Sequence, residues 1–119
     1  MKPLEFINQI KKIVIEENIT IYKDLFTNTK PNTVTDEYWT EALSFFNKLD
    51  ENDKRVFFKI LRQIQVDTTS NILGVLDGVM WLENQEEEFV LTTKSLKEPI
   101  NGELQDVFLE EEEEKGNGG

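Results

Sequence analysis

The chain has 119 residues, the length of one globular domain, and a net charge of −11 at neutral pH. It contains neither cysteine nor histidine, which excludes disulfide bonds, a thiolate nucleophile and the usual ligand sets for zinc, copper and iron. The commonest general base of enzymes is missing as well. We therefore expect a protein that is not an enzyme and that uses neither a cofactor nor a metal.

Acidic residues are concentrated in the second half of the chain. Residues 1–59 contain nine Lys/Arg and ten Asp/Glu, whereas residues 60–119 contain four and fourteen. A field of this sign repels nucleic acids and anionic membranes and steers association with a basic protein. No apolar run approaches the roughly 20 residues of a membrane span, and the N-terminus lacks a signal-peptide core. These features predict a cytoplasmic protein whose acidic half either binds a basic protein partner or serves only to keep the protein in solution.

The N-terminal region favours helix. Pro3 suits the first helical position, and residues 3–17 have apolar side chains at three- and four-residue spacing. These are Leu4, Ile7, Ile10 and Val14. We expect the helix to continue, or to restart, as far as about Phe26, before "TNTKPNT" interrupts it with Pro31 and a cluster of turn-forming residues.

Two further helices are expected to follow. Thr35 can cap the first, whose apolar face consists of Trp39, Ala42, Leu43, Phe46 and Leu49. Asp50 can cap the second, whose apolar face consists of Phe57, Ile60, Leu61 and Ile64. Trp39 lies in this apolar pattern and is therefore expected inside the protein. The basic patch "KRVFFKILRQ" has its Phe residues at core spacing, which argues against nucleic-acid binding.

The stretch "DTTSNILGVLDGVMWL", residues 67–82, predicts a helix that begins at Asp67. One side is apolar and includes Ile72, Val75, Leu76 and Val79. The opposite side is small or acidic and consists of Asp67, Ser70, Asn71, Gly74, Asp77, Gly78 and Trp81. Glycine inside a helix costs about 1 kcal/mol, so Gly74 and Gly78 indicate helix termination, close internal packing or a partner surface.

Asp67 and Asp77 do not form a plausible catalytic pair. Ten residues of straight helix separate them by about 15 Å, whereas the carboxyls of a glycosidase pair lie about 5 to 10 Å apart. The same separation is too large for one shared metal. The two aspartates are better explained as a helix cap and a surface residue.

The remaining sequence predicts a strand at "FVLTT", which could pair near Trp81 or near Leu96 to form a hairpin. A last helix starts near Asn101, with Leu104, Val107 and Phe108 as its apolar seam. The predicted fold class is mainly α (α+β). It is a single compact domain of four to five helices with a small β-hairpin over residues 1–110, followed by a mobile acidic, Gly-rich tail at residues 111–119.

Three stretches, "YWTEALSFFNKL", "QVDTTSNILGVLDG" and "INGELQDVFLE", carry a resemblance to a group of small, acidic, mostly uncharacterised bacterial proteins of the immunity-protein type. The resemblance covers residues 36–110. It implies a cytoplasmic inhibitor that binds one cognate protein, and it assigns no functional residue.

The sequence thus predicts a non-catalytic protein that inhibits or sequesters a basic protein partner, in concrete form a bacterial toxin immunity protein. The alternatives are a nucleic-acid mimic that inhibits a DNA-binding enzyme, and a structural or adaptor subunit. The candidate partner-binding residues are Asp67, Gly74, Asp77, Trp81, Glu86, Glu87, Glu88 and Asp106.

Overall fold

The computed structural model describes residues 1–118 and is mainly helical. Its four longer helical segments cover residues 3–28, 37–47, 51–76 and 104–118, and a short 3₁₀ helix lies at Pro31–Thr33. Residues 77–103 connect the last two segments without regular secondary structure. None of the helices in the described part of the chain is both long enough and apolar enough to cross a bilayer.

The N-terminal segment consists of α1 (Pro3–Ile10), a π-helical segment (Lys11–Glu17) and α2 (Asn18–Asn28), which follow one another without a break. Helix therefore continues through the region where the sequence left a restart open. Ile15 is fully buried, whereas Val14, predicted on the buried face, is 40% exposed. A π-helical turn holds more residues than an α-helical turn, and this rotates the residues that follow around the axis.

Helix α3 spans Glu37–Asn47 and α4 spans Glu51–Leu76. The cap of α3 is Asp36 rather than Thr35, because the Asp36 carboxylate accepts a hydrogen bond from the Trp39 amide at 3.3 Å. Asp50 caps α4 as predicted and accepts from the Asp53 amide at 2.8 Å. Helix α4 passes through Asp67 without interruption, so the helix start predicted there is wrong. Neither Gly nor Pro occurs between residue 51 and Gly74 to end the helix earlier.

The core has two hydrophobic clusters at different places along α4. The first, the aromatic cluster, joins α2, α3 and the first half of α4, and its buried members are Phe26, Leu43 and Phe46. The second, the C-terminal cluster, joins the N-terminal segment, the second half of α4 and the chain after residue 99. Its buried members are Ile7, Ile15, Val66, Leu73, Ile100, Leu104 and Phe108.

The outline of the molecule is elongated. Its extents are 52 × 36 × 27 Å and its radius of gyration is 18.1 Å, compared with about 13 to 14 Å for a spherical domain of this length. An elongated body has less interior, and part of the predicted core lies outside it. Ile60 and Ile64 of α4 are 53% and 57% exposed, whereas Phe57 and Leu61 pack against the aromatic cluster as predicted.

No strand occurs in residues 1–118, and the predicted β-hairpin is therefore wrong. The side chain of Asn101 makes the contacts that a partner strand would have made to "FVLTT". It donates a hydrogen bond to the Phe89 carbonyl and accepts one from the Leu91 amide, both at 2.8 Å. The Leu91 carbonyl accepts from the Ile100 amide, also at 2.8 Å. The Asn101 side chain and one backbone hydrogen bond thus hold this segment in place of a ladder.

Helix α5 spans Leu104–Gly118 and includes most of the predicted tail. The Glu112 side chain is only 12% exposed and lies 3.0 Å from the guanidinium of Arg62 and 3.4 Å from the ammonium of Lys11. These cations offset the repulsion among neighbouring glutamates. The predicted domain boundary at residue 110 falls inside α5. Gly119 lies outside the described residues, and the mobility of this segment stays a prediction.

Candidate functional site

The small-residue side of residues 67–82 packs against α5. Ser70 and Gly74 are buried. The side-chain amide of Gln105, on α5, donates hydrogen bonds to the Ser70 carbonyl at 3.0 Å and to the Ser70 hydroxyl at 3.2 Å. A methyl group on Gly74 would lie 2.9 Å from the Gln105 amide nitrogen. Gly74 thus permits close approach by a helix of its own chain. The side predicted to be apolar is partly exposed, since Ile72 is 58% accessible.

Gly78 ends the helix. Its φ of +82° lies in the left-handed region that favours glycine. The Val79 amide donates to the Gly74 carbonyl at 2.9 Å, and the Gly78 amide donates to the Val75 carbonyl at 3.2 Å. This pair of bonds defines the Schellman cap. Helix α4 therefore stops at Leu76, and the residues up to Leu82 leave the helix.

The Asp77 carboxylate links the end of α4 to the start of α5. One oxygen accepts a hydrogen bond from the backbone amide of Gly102 and the other from the backbone amide of Gln105, each at 2.7 Å. Amide groups at a helix N-terminus lack partners within the helix and carry a partial positive charge, so a carboxylate stabilises them. Asp77 thus has a structural contact with its own chain.

The carboxylates around this junction form no metal-binding cluster among the described residues. Asp67 is exposed and accepts a hydrogen bond from the Gln63 side chain one turn earlier, at 2.9 Å. Among residues 1–118, no three carboxylates converge on a position that could hold a metal ion. The structure therefore separates Asp67 from Asp77 in role as well as in position.

The connection between α4 and α5 exposes several large apolar side chains. The accessible fractions are 66% for Val79, 50% for Trp81, 52% for Leu82, 40% for Phe89 and 65% for Val90. The indole nitrogen of Trp81 donates to the Gly78 carbonyl at 3.1 Å, which fixes the ring on the outside of the molecule. We refer to these five side chains and the glutamates between them as the loop surface.

A concave acidic site lies within the loop surface. Its cavity has a volume of about 460 Å³ and is lined by one continuous stretch of the chain, which begins at Leu82 and ends at Phe89. The residues between them that line it are Glu83, Asn84, Gln85, Glu86, Glu87 and Glu88. We refer to this cavity as the acidic cup. It offers carboxylates beside apolar walls, an environment that suits the long aliphatic stem and charged end of a lysine or arginine.

Hydrogen bonds within the loop shape the acidic cup. The Gln85 amide donates to the Leu82 carbonyl at 3.0 Å, and the Gln85 side chain accepts from the Leu82 amide at 2.9 Å. The same side chain donates to the Glu87 carbonyl at 2.9 Å. Asn84 has a φ of 69°, a conformation that asparagine adopts more readily than most residues. The cup therefore exists without a partner.

Four of the predicted partner-binding residues lie on the loop surface, namely Trp81, Glu86, Glu87 and Glu88. Gly74 and Asp77 contact α5, Asp67 lies on α4, and Asp106 is exposed on α5. The sequence analysis did not predict Gln85, which shapes the acidic cup, or Leu82 and Phe89, which lie at its edges. The available signal was an acidic run with an apolar residue on each side.

Comparison with known proteins gave no match. No family model, curated protein or solved structure is significantly similar to this chain.

Proposed function

We propose that this chain is a non-catalytic binding protein that inhibits or sequesters a basic protein, and that the loop surface is its contact. The observation that supports the proposal most directly is the acidic cup beside the exposed indole of Trp81. Tryptophan is enriched among the residues that dominate binding energy at protein interfaces. Exposed apolar side chains rimmed by one sign of charge are typical of a docking surface for a partner of the opposite sign.

In this mechanism the negative field of the second half of the chain accelerates encounter with the basic partner. A lysine or arginine of the partner then enters the acidic cup, while Trp81 and Val90 pack against apolar side chains around it. Because Gln85 already fixes the cup, little conformational entropy is lost on binding. The concrete form of this proposal is a cytoplasmic immunity protein that neutralises a toxin.

Affinity capture from the source organism, at low and then high salt, identifies the partner, and the affinity for the purified partner is then measured. We expect Trp81→Ala and the triple variant Glu86→Gln, Glu87→Gln, Glu88→Gln each to weaken binding at least tenfold. The matched control is Glu110→Gln, Glu113→Gln, Glu114→Gln, which removes three exposed carboxylates from α5. Equal affinity of the loop triple variant and the parent would exclude the loop surface as the contact.

One observation favours the nucleic-acid mimic as a second candidate. Five exposed carboxylates lie along one side of α5 and the residue before it: Glu103, Asp106, Glu110, Glu113 and Glu114. Residues 103–114 rise about 16 Å along a helix axis, so neighbouring carboxylates are about 1.5 to 6 Å apart along it, with a mean of about 4 Å, compared with roughly 3.4 Å per phosphate of one DNA strand. The capture experiment separates the candidates, because a DNA-site partner would lose affinity for the α5 triple variant and keep it for the loop variant.

A further inference from the structure

A second cavity, on the opposite half of α4, is basic. It lies between α2 and the first half of α4, has a volume of about 520 Å³, and is bounded by Phe46 of α3. Among its lining side chains are five cations, Lys23, Lys54, Arg55, Lys59 and Arg62, and a single carboxylate, that of Glu51. Such a cluster is unexpected in a chain with a net charge of −11, because like charges that face one cavity repel one another.

The protein compensates only some of these cations. Arg62 is hydrogen-bonded to Glu112 and Glu16, and Lys54 lies 3.6 Å from Glu51, whose side chain is 94% exposed. The other three, Lys23, Arg55 and Lys59, form no ion pair with any residue of the described chain. The cavity therefore has two or three positive charges in excess.

Aromatic rings hold two of the cations at the cavity. The Lys23 ammonium lies 5.8 Å from the centre of the Phe58 ring, and the Lys54 ammonium lies 5.1 Å from that of Phe46. Cation–π contacts of this length restrain the ammonium groups. The buried Ile19 and the half-buried Phe58 add an apolar wall. Charge and apolar surface thus face the same cavity.

We propose that this cavity binds a phosphorylated small molecule, a multiply charged phosphate ester with an organic body. The excess of two or three positive charges matches the charge of such a group. The Arg55 guanidinium donates to the Asn52 side chain at 2.9 Å through one terminal nitrogen, and its other N–H groups suit the phosphate oxygens. Ile19 and Phe58 would contact the organic part. The volume lies within the range of about 300 to 1,000 Å³ that is typical of small-molecule sites.

A small anion fits this cavity better than a nucleic-acid strand does. A bound phosphate ester experiences mainly the charges within the Debye length of about 8 Å at physiological salt, and within the cavity these are positive. A long strand would extend past the cavity over the rest of a strongly acidic protein, which repels it.

Isothermal titration calorimetry of the full chain with ATP and with inorganic pyrophosphate tests this assignment. We expect both probes to bind, and ATP more tightly, because only ATP has an organic body. Lys23→Gln and Lys59→Gln should each weaken ATP binding about tenfold, since each removes a charge-assisted hydrogen bond. Unfolding of each variant, followed by circular dichroism, verifies that these exposed substitutions leave the fold intact.

The matched control is Lys94→Gln, which removes an exposed lysine from the connection between α4 and α5. It should bind ATP like the parent. Absence of binding at millimolar ATP, or equal weakening by Lys94→Gln and Lys59→Gln, would overturn the assignment. So would a single-stranded oligonucleotide that binds more tightly than ATP and responds to Lys23→Gln and Lys59→Gln, because the site would then be one for nucleic acid.

Discussion

Both halves of α4 pack in a hydrophobic cluster, but the polar contacts beside the two clusters differ. Around its first half, rings and aliphatic side chains pack in the aromatic cluster, and the polar contacts there include the Asp50 cap at its start and the pairing of Arg62 with Glu112 near its end. Around its second half, where Val66 and Leu73 pack in the C-terminal cluster, single polar side chains also join segments that are distant in sequence, as Asp77 does with the start of α5 and Gln105 with the Ser70 carbonyl. The first half faces the basic cavity, whereas the second half leads into the loop surface.

This difference shows how a small elongated protein can hold a long irregular connection. Apolar packing has little direction, so it fixes helices against one another but does not determine the path of a loop. Hydrogen bonds from side chains such as Asn101 are directional and specify that path atom by atom. The loop surface is thus shaped by polar contacts.

The largest effect on stability is expected at the centre of the aromatic cluster. The Phe26 ring lies 5.1 Å from those of Phe46 and Phe57 and 5.7 Å from that of Trp39. Phe26→Ala should lower the free energy of unfolding by about 3–5 kcal/mol, because the cavity left behind cannot close completely. Chemical denaturation measures the change.

Phe45→Ala provides the control for this substitution. Phe45 is 54% exposed and contacts one ring of the cluster at 6.2 Å, so its loss should cost less than about 1 kcal/mol. Similar losses for the two variants would mean that the aromatic cluster is not the centre of stability at this end of α4.

At the other end of α4, the largest single polar effect is expected at Asp77. Asp77→Ala removes two hydrogen bonds of 2.7 Å, one from the backbone of Gly102 just before α5 and one from that of Gln105 in its first turn, and should cost about 2–3 kcal/mol. Asp67→Ala, at an exposed position in mid-helix, should change stability by less than about 0.5 kcal/mol. If the two variants lose the same stability, Asp77 does not link the helices.

The two halves also differ in how far the sequence predicts them. The face of α3 that includes Leu43 and Phe46 follows from helical spacing, because neighbouring helices bury whatever face is apolar. Asn101 and Asp77 carry no such signal, since their partners are backbone groups that are 10 to 28 residues away. Residue periodicity cannot indicate contacts of that kind.

A related reason explains why the loop surface was predicted only in part. Trp81 and the glutamates that follow it can be predicted as partner-binding residues from their residue types alone. The shape of the acidic cup, however, depends on three hydrogen bonds of Gln85 and on the left-handed conformation of Asn84. The sequence placed Glu112 in the acidic tail, outside the globular domain, because a run of glutamates at the end of a helix is expected to fray. Only the fold brings Arg62 and Lys11 to one of them.

A smaller effect, with a defined pH dependence, is expected at Glu112. Partial burial acts to raise the pKa of this carboxyl, but the hydrogen bond and charge of Arg62, together with Lys11, outweigh it and lower the pKa below its ordinary value. Glu112→Gln should cost about 1–2 kcal/mol at pH 7. Since the folded-state pKa is depressed, that stability is present above about pH 4.5 and is lost as the pH falls further.

Unfolding free energies of parent and Glu112→Gln, measured from pH 7 to pH 3, test this pH dependence. The two curves should converge below about pH 4.5. Glu113→Gln, at an exposed position of the same helix, should follow the parent throughout. A constant difference between parent and Glu112→Gln across the range would show that packing, and not ionisation, accounts for the loss.

The smallest net effect is expected at Gly74, where two contributions oppose each other. Alanine gains about 1 kcal/mol of helix propensity over glycine. Its methyl group, however, would displace the Gln105 side chain from 2.9 Å and disturb its hydrogen bonds to Ser70, a loss of about 1 kcal/mol. Gly74→Ala should therefore change the free energy of unfolding little. The sign of that change shows whether the gain in helix propensity or the loss of contacts is larger. In the double variant Gly74→Ala, Gln105→Ala the closest contact is gone, and the one that remains, 3.0 Å to Met80 Cε, is with the end of a flexible side chain that can move aside; alanine at residue 74 should therefore stabilise relative to Gln105→Ala alone. If it does not, something other than Gln105 requires the glycine, and the close contact between α4 and α5 has been assigned to the wrong side chain.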